Sequence, residues 1–132
     1  MNKSEIRKKI ISKRKKNYFR GLAINPDDFL KFLKQKKINK KSIGGYYPYN
    51  YEISTLKILK KLEKKKYSIS LPKISKNKTM SFYQWSFKDP LTINIYGIPE
   101  PISTNKMTPE ILLIPLVGFD RQLNRLGYGG GF

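Results

Sequence analysis

The stretch Ile111-Leu-Leu-Ile-Pro-Leu-Val117 is nearly continuous apolar sequence of strand length, and its reading decides the fold. A strand wetted on one face alternates apolar and polar residues, whereas one covered on both faces shows an unbroken apolar run. The pattern therefore predicts a strand buried on both faces. Behind it come Gly118-Phe-Asp-Arg121 and then Arg125-Leu-Gly-Tyr-Gly-Gly-Gly-Phe132. In open α/β sheets, ligands bind where strands open into such loops.

Outward from this strand, helices and strands alternate. Ser4 can cap a helix over roughly residues 4–16, with Ile6, Ile10 and Ile11 on one side. Asn25-Pro26-Asp27-Asp28 is a stronger helix start: an N-cap, proline at the first helical position and two acids in the first turn. That helix is expected to run to about Lys37. Ser42–Tyr49 reads as a strand, Ser54 opens a third helix on Leu56, Leu59 and Leu62, and Tyr67–Leu71 is a short strand closed by Pro72. Met80–Phe87 and Leu91–Tyr96 read as extended segments, and residues 97–106 as loop. The expectation is one α/β domain over residues 1–132, three-layered, with a mainly parallel sheet flanked by helices.

The bulk properties narrow the chemistry. The 132 residues contain no cysteine and no histidine, which removes disulfides, thiolate chemistry and the usual neutral-pH base. Any catalysis must use carboxylates, Lys, Arg, Tyr, backbone dipoles or a borrowed metal. No apolar run approaches the ~18 residues of a membrane span, and the basic N-terminus lacks the apolar core of a signal peptide. A cytoplasmic location is the default. Residues 1–66 hold 21 of the 28 Lys+Arg and 5 of the 9 Asp+Glu, a net +16 of the total +19. Such a surplus points to an anionic partner or, more plainly, to lysine filling the solvent faces of amphipathic helices.

The glycine loop is neither a Walker A loop nor the dinucleotide fingerprint, since no Gly-Lys-Ser/Thr follows and Phe132 stands where a last glycine would be. Its glycines permit close backbone approach to an anion, and Arg125 adds a planar fork for phosphate oxygens. The alternative is a glycine-rich terminus without a ligand.

The run from Ile111 to Phe132 resembles the closing signature of 5-formyltetrahydrofolate cyclo-ligases, also called 5,10-methenyltetrahydrofolate synthetases. Further pieces follow in order: Lys3-Ser-Glu-Ile-Arg7, Tyr46-Tyr47-Pro48 with Glu52-Ile-Ser-Thr55, Leu71-Pro72, Met80 with Phe82 and Trp85, and Gly97-Ile-Pro-Glu100-Pro101. The resemblance covers nearly all of the chain. Family sequences continue with Tyr and then Asp, a magnesium ligand, so a C-terminal part is expected to be missing here, with the metal ligand beyond the chain end. Whether the truncated chain turns over stays open.

The resemblance implies an ATP- and magnesium-dependent ligase that converts 5-formyltetrahydrofolate to 5,10-methenyltetrahydrofolate, ADP and phosphate. The formyl oxygen attacks the γ-phosphate, the neighbouring nitrogen closes the ring, and phosphate leaves. Such chemistry needs positioning and charge neutralisation more than an imidazole base. By carry-over, ATP would be held by Lys3, Ser4, Glu5, Ile6 and Arg7 of the first helix and by Arg125, Leu126, Gly127, Tyr128, Gly129, Gly130, Gly131 and Phe132. Arg125 would take the catalytic role on phosphate. Tyr47, Glu52, Tyr128 and Phe132 would line the folate pocket, Glu52 hydrogen-bonding the pterin N–H groups. Glu52 serves equally as a first-turn acid stabilising the helix that follows, and Trp85 fits plain core better than a ring-stacking role. The full-length protein is expected to be monomeric. The rival class is a basic nucleic-acid-binding module, which would explain the charge directly but for which no RNP run, zinc spacing or helix-turn-helix is found.

Overall fold

The structure, a computed structural model, describes residues 1–19 and 21–130. In chain order it forms α1 (Lys3–Asn17), α2 (Pro26–Gln35), β1 (Ser42–Gly44), α3 (Leu56–Lys64), β2 (Ser68–Ile74), β3 (Met80–Gln84), β4 (Leu91–Ile93), β5 (Pro99–Pro101), β6 (Lys106–Met107), β7 (Ile111–Leu112), β8 (Gly118–Phe119) and β9 (Arg125–Leu126). The main sheet has the order β6-β3-β2-β1-β7. Its centre is parallel, since β1 pairs parallel with both β2 and β7. The antiparallel strands β3 and β6 extend it, so the α/β class holds with a mixed sheet.

The core is built where α3 meets the sheet. Ile58, Leu59 and Leu62 recur at helical spacing and pack with Ile43, Tyr67, Ile69, Leu71 and Trp85 in one buried cluster. Each such side chain taken out of water contributes about 1.5–3 kcal/mol. Two glycines let backbone and side chains close up. A Cβ on Gly44 would lie 2.7 Å from the Phe82 ring, and one on Gly45 would lie 2.7 Å from Leu59 Cδ1. Trp85 is core, as expected: its ring sits 4.5 Å from that of Phe87 and its indole N–H donates to the Asp89 carbonyl.

Helix α2 begins as the sequence predicts, with Asn25 Oδ1 accepting the backbone N–H groups of Asp27 and Asp28. Helix α1 starts two residues earlier than predicted. Asn2, not Ser4, is its cap, in a reciprocal capping box with Glu5. None of its residues is fully buried. Its half-buried stripe runs Ile6, Arg7, Ile10, Ile11 and Arg14, facing the chain's C-terminal segment, where Ile10 Cδ1 leaves just 3.0 Å for a Cβ at Gly118.

Several sequence expectations are corrected. The run 111–117 is not a strand buried on both faces: β7 covers just its first two residues and pairs with β1 alone among the described residues. Leu112 and Ile114 stay about half exposed, and Pro115 offers no donor with which to extend the ladder. Strand β1 likewise ends at Gly44, well short of Tyr49. Strand β2 runs through Pro72. The Ser70 carbonyl faces β1, where Gly45 N–H donates to it, so the missing N–H of Pro72 falls on the same side, past the last β1 rung. Residues 97–106 are not plain loop. β5 pairs with β4 in a hairpin turned at Gly97 (φ 75°). Asn94 Oδ1 accepts the N–H groups of Tyr96 and Ile98 in that turn. No described helix is long and apolar enough to cross a membrane.

Candidate active site

Glu52 is the one buried carboxylate among the described residues, 8% exposed, at the bend between β1 and α3. Its Oε1 accepts the Tyr49 backbone N–H at 2.8 Å, and its Oε2 accepts the Tyr128 hydroxyl at 3.0 Å. Burial raises its pKa above the usual carboxylate value, while the Tyr49 N–H, the Tyr128 hydroxyl and the Arg14 charge pull it back. Glu52 opens onto a cleft of about 400 Å³ walled by Leu22, Ile24, Ile53, Leu113, Ile114 and Leu116. Each of its oxygens keeps one lone pair for a ligand.

Tyr46 lines this cleft together with Tyr51, and the Tyr46 hydroxyl donates to the Ile53 carbonyl at 2.9 Å. Burial, with the Glu52 charge beside it, pushes Tyr46 up to about 12. Tyr47 points elsewhere, half-buried and outside the cleft lining. Thr55, fully buried, donates to the Tyr46 carbonyl and so anchors the start of α3 to the β1 exit. The backbone between them is bent hard, with Asn50 and Tyr51 both left-handed at φ 54° and 62°. Consecutive non-glycine residues in that region mark stored strain.

The glycine loop meets this bend from the other side. Strands β8 and β9 pair around a turn held by Asp120, which accepts the Asn124 backbone and side-chain N–H groups. Those bonds hold the Asp120 carboxyl below its usual value. The Arg125 side chain donates to the Pro115 carbonyl at 2.8 Å. Arg7 reaches across from α1: its Nε donates to the Gly127 carbonyl at 2.7 Å. A Cβ on Gly129 (φ 90°) would stand 3.2 Å from Arg7 Cζ, so glycine leaves room for the guanidinium beneath the loop. The Arg125 guanidinium lies against Gly127 on the same loop.

Of the residues singled out from sequence, Arg7, Glu52, Arg125, Gly127, Tyr128 and Gly129 converge. Lys3, Ser4 and Ile6 lie in the first two turns of α1, and Glu5 serves the capping box. Leu126 is in β9 and Gly130 is exposed beyond it. Gly131 and Phe132 lie outside the described residues. Sequence reading missed Arg14 and Tyr46. The available signal for Arg14 was its position two turns after Arg7 on the same face of α1. No group of three or more His, Cys, Asp or Glu comes together among the described residues, and both Asp120 oxygens are engaged with Asn124.

The molecule is thus an α/β domain with a two-ended site, arginines around a glycine turn at one end and a buried carboxylate in an apolar cleft at the other. The model of the 5-formyltetrahydrofolate cyclo-ligase family matches residues 1–132, and the chain belongs to that family. It is 33% identical over 99 residues to a 5-formyltetrahydrofolate cyclo-ligase of Haemophilus influenzae, a match covering 70% of this chain and 53% of that protein. A probable 5-formyltetrahydrofolate cyclo-ligase of Schizosaccharomyces pombe is 36% identical over 72 residues, covering 49% and 35%. The chain therefore spans about half the length of the first relative and less of the second. In structure it is similar to a 5,10-methenyltetrahydrofolate synthetase of Aquifex aeolicus, with a TM-score of 0.78 and 26% identity over 98% of this chain and 68% of that one. A synthetase from Mycoplasma pneumoniae shares the fold, with a TM-score of 0.69 at 23% identity over 100% and 74%.

Proposed function

We propose that this site serves the ATP-dependent cyclisation of 5-formyltetrahydrofolate to 5,10-methenyltetrahydrofolate, with release of ADP and phosphate, in the cytoplasm. The observation that carries the reading is the placement of buried Glu52 in an apolar cleft beside a glycine turn framed by Arg7 and Arg125. A pterin offers flat apolar area and adjacent N–H donors, and the cleft offers apolar walls and a carboxylate with free lone pairs. The triphosphate is the complementary ligand for two arginines and open glycine N–H groups.

In this reading Glu52 orients the pterin, and Arg125 and Arg7 neutralise charge as the γ-phosphoryl passes from ATP to the formyl oxygen, with ADP leaving. The neighbouring nitrogen then attacks the formyl carbon, loses its proton, and phosphate departs with that oxygen. Lys3 adds positive charge one turn before Arg7. Magnesium would arrive on the triphosphate, since a metal held mainly by phosphates needs few protein ligands.

The test is direct. Thermal melting with ATP and magnesium, and separately with 5-formyltetrahydrofolate, should give a raised midpoint in each case. Spectrophotometric formation of the methenyl product should require all three. Strongly salt-dependent binding of RNA or DNA with no response to nucleotide or folate would replace this reading with the nucleic-acid module.

A further inference from the structure

Arg14 has the most constrained side chain near the cleft, and its bonds are unlike those of a solvated lysine-type face. Its Nη2 donates to the Leu116 and Val117 carbonyls at 2.7 and 2.9 Å. Its Nη1 donates to the Tyr128 hydroxyl oxygen at 2.9 Å and to the Asn50 carbonyl at 3.3 Å. One planar group therefore ties α1 to the segment after β7, to the strained Asn50–Tyr51 bend and to the glycine loop. Among the described residues it has no direct carboxylate partner.

The donor inventory fixes a direction. Arginine only donates, so Arg14 occupies a lone pair on the Tyr128 oxygen. The single phenol proton is then left for Glu52 Oε2, 3.0 Å away. We infer that Arg14 is the positioning residue of the site: through Tyr128 it sets the hydrogen bond that aims the Glu52 carboxylate into the cleft, and it locks the glycine loop to that carboxylate. The inference rests on the folate-cyclisation reading for its ligand but not for its geometry. It couples the two ends of the site, so that a loop closed on nucleotide presents Glu52 in its folate-binding orientation.

Three ionisable groups face Glu52: Tyr46 from its own connection, Arg14 from α1 and Tyr128 from the glycine loop. Arg14 alone of these carries a positive charge, and it favours the ionised carboxylate. A lysine at position 14 would keep that charge but could not span four acceptors in one plane.

The variants are Arg14→Gln and Arg14→Lys, with Tyr128→Phe as an independent break in the same chain of bonds. Titration of Glu52 by carbon NMR on carboxyl-labelled glutamate should show its midpoint moved upward in Arg14→Gln, restored in Arg14→Lys, and moved upward in Tyr128→Phe. In the conversion assay both Arg14 variants should raise KM for 5-formyltetrahydrofolate about tenfold, the loss of one charge-assisted hydrogen bond, with kcat lowered less. An unchanged Glu52 midpoint in both Arg14→Gln and Tyr128→Phe would overturn the inference, as would unchanged folate KM with a lowered melting temperature alone. If the wild-type chain neither binds nor converts 5-formyltetrahydrofolate, the functional reading fails, and the Glu52 titration still decides the role of Arg14.

Discussion

The Tyr128 hydroxyl donates to Glu52 Oε2 at 3.0 Å, joining two residues 76 positions apart. Neither side chain could do this alone, because the phenol sits on a glycine loop and the carboxylate on a strained bend. The bond ties the basic end of the site to the apolar end.

Replacing Glu52 with glutamine keeps the shape and removes the charge. A hydrogen bond to a charged group is worth about 1.5–3 kcal/mol, so affinity for 5-formyltetrahydrofolate should fall about ten- to a hundredfold. Affinity for ATP should stay within about twofold of the wild-type value. Calorimetric titration of each ligand measures both, and an unaltered folate affinity would remove Glu52 from the pocket.

The same carboxylate gives stability a pH dependence of unusual sign. The folded chain holds the Glu52 proton more tightly than the unfolded one, because burial raises its pKa. Stability therefore drops as pH climbs from the ordinary carboxylate value through the raised one. Tyr46 repeats the pattern in alkali, between its ordinary 10.0 and about 12. Urea midpoints measured against pH should lose the acidic part of this slope in Glu52→Gln. Tyr46→Phe should lose much of the alkaline part, leaving a remainder from Tyr128, which burial raises as well.

Arg7 and Arg125 are predicted to act on nucleotide alone. Truncating either to alanine should raise KM for ATP about tenfold or more, the scale of a lost charge-assisted contact. Folate affinity should be little affected in Arg125→Ala. Arg7→Ala also loses the bond to the Gly127 carbonyl, so its loop should become more susceptible to proteolysis. Limited digestion with and without ATP reads this out.

In the core, Leu59→Ala should cost about 2–5 kcal/mol, since the side chain is fully buried. Gly45→Ala should also destabilise, because its Cβ would meet Leu59 Cδ1 at 2.7 Å. The double variant should be more stable than the sum of the two losses predicts, because the new methyl enters the space that leucine vacates. A double-mutant cycle by chemical denaturation checks this, and strict additivity would place the two residues apart.

Much of this arrangement could be read locally. The α2 start is written in Asn25-Pro26-Asp27-Asp28, and the α3 stripe in its leucines, because caps and helical periodicity depend on neighbours in sequence. The hairpin β4–β5 was hidden by Pro99 and Pro101, which argue against a strand unless the missing donors face away from a partner. The run 111–117 misled because apolar content predicts burial without saying where a sheet stops. At the site, Arg7, Glu52 and the glycines were legible through the family pattern. Arg14 was harder to see: it stands in Lys13-Arg14-Lys15-Lys16, where residue type does not separate the four and the two-turn spacing from Arg7 is the one mark of its face. That choice is made by carbonyls more than a hundred residues away.

The reach of those bonds has a consequence for biosynthesis. Arg7 waits for Gly127, 120 positions later, and Arg14 for Tyr128, 114 positions later. Contacts of such separation form late, after local elements and after loop-closure entropy has been overcome. On the ribosome, α3 and the strands around it can assemble while the arginines of α1 still lack their acceptors. The cleft would then take shape after α3 and the strands around it, once Tyr128 has cleared the exit tunnel.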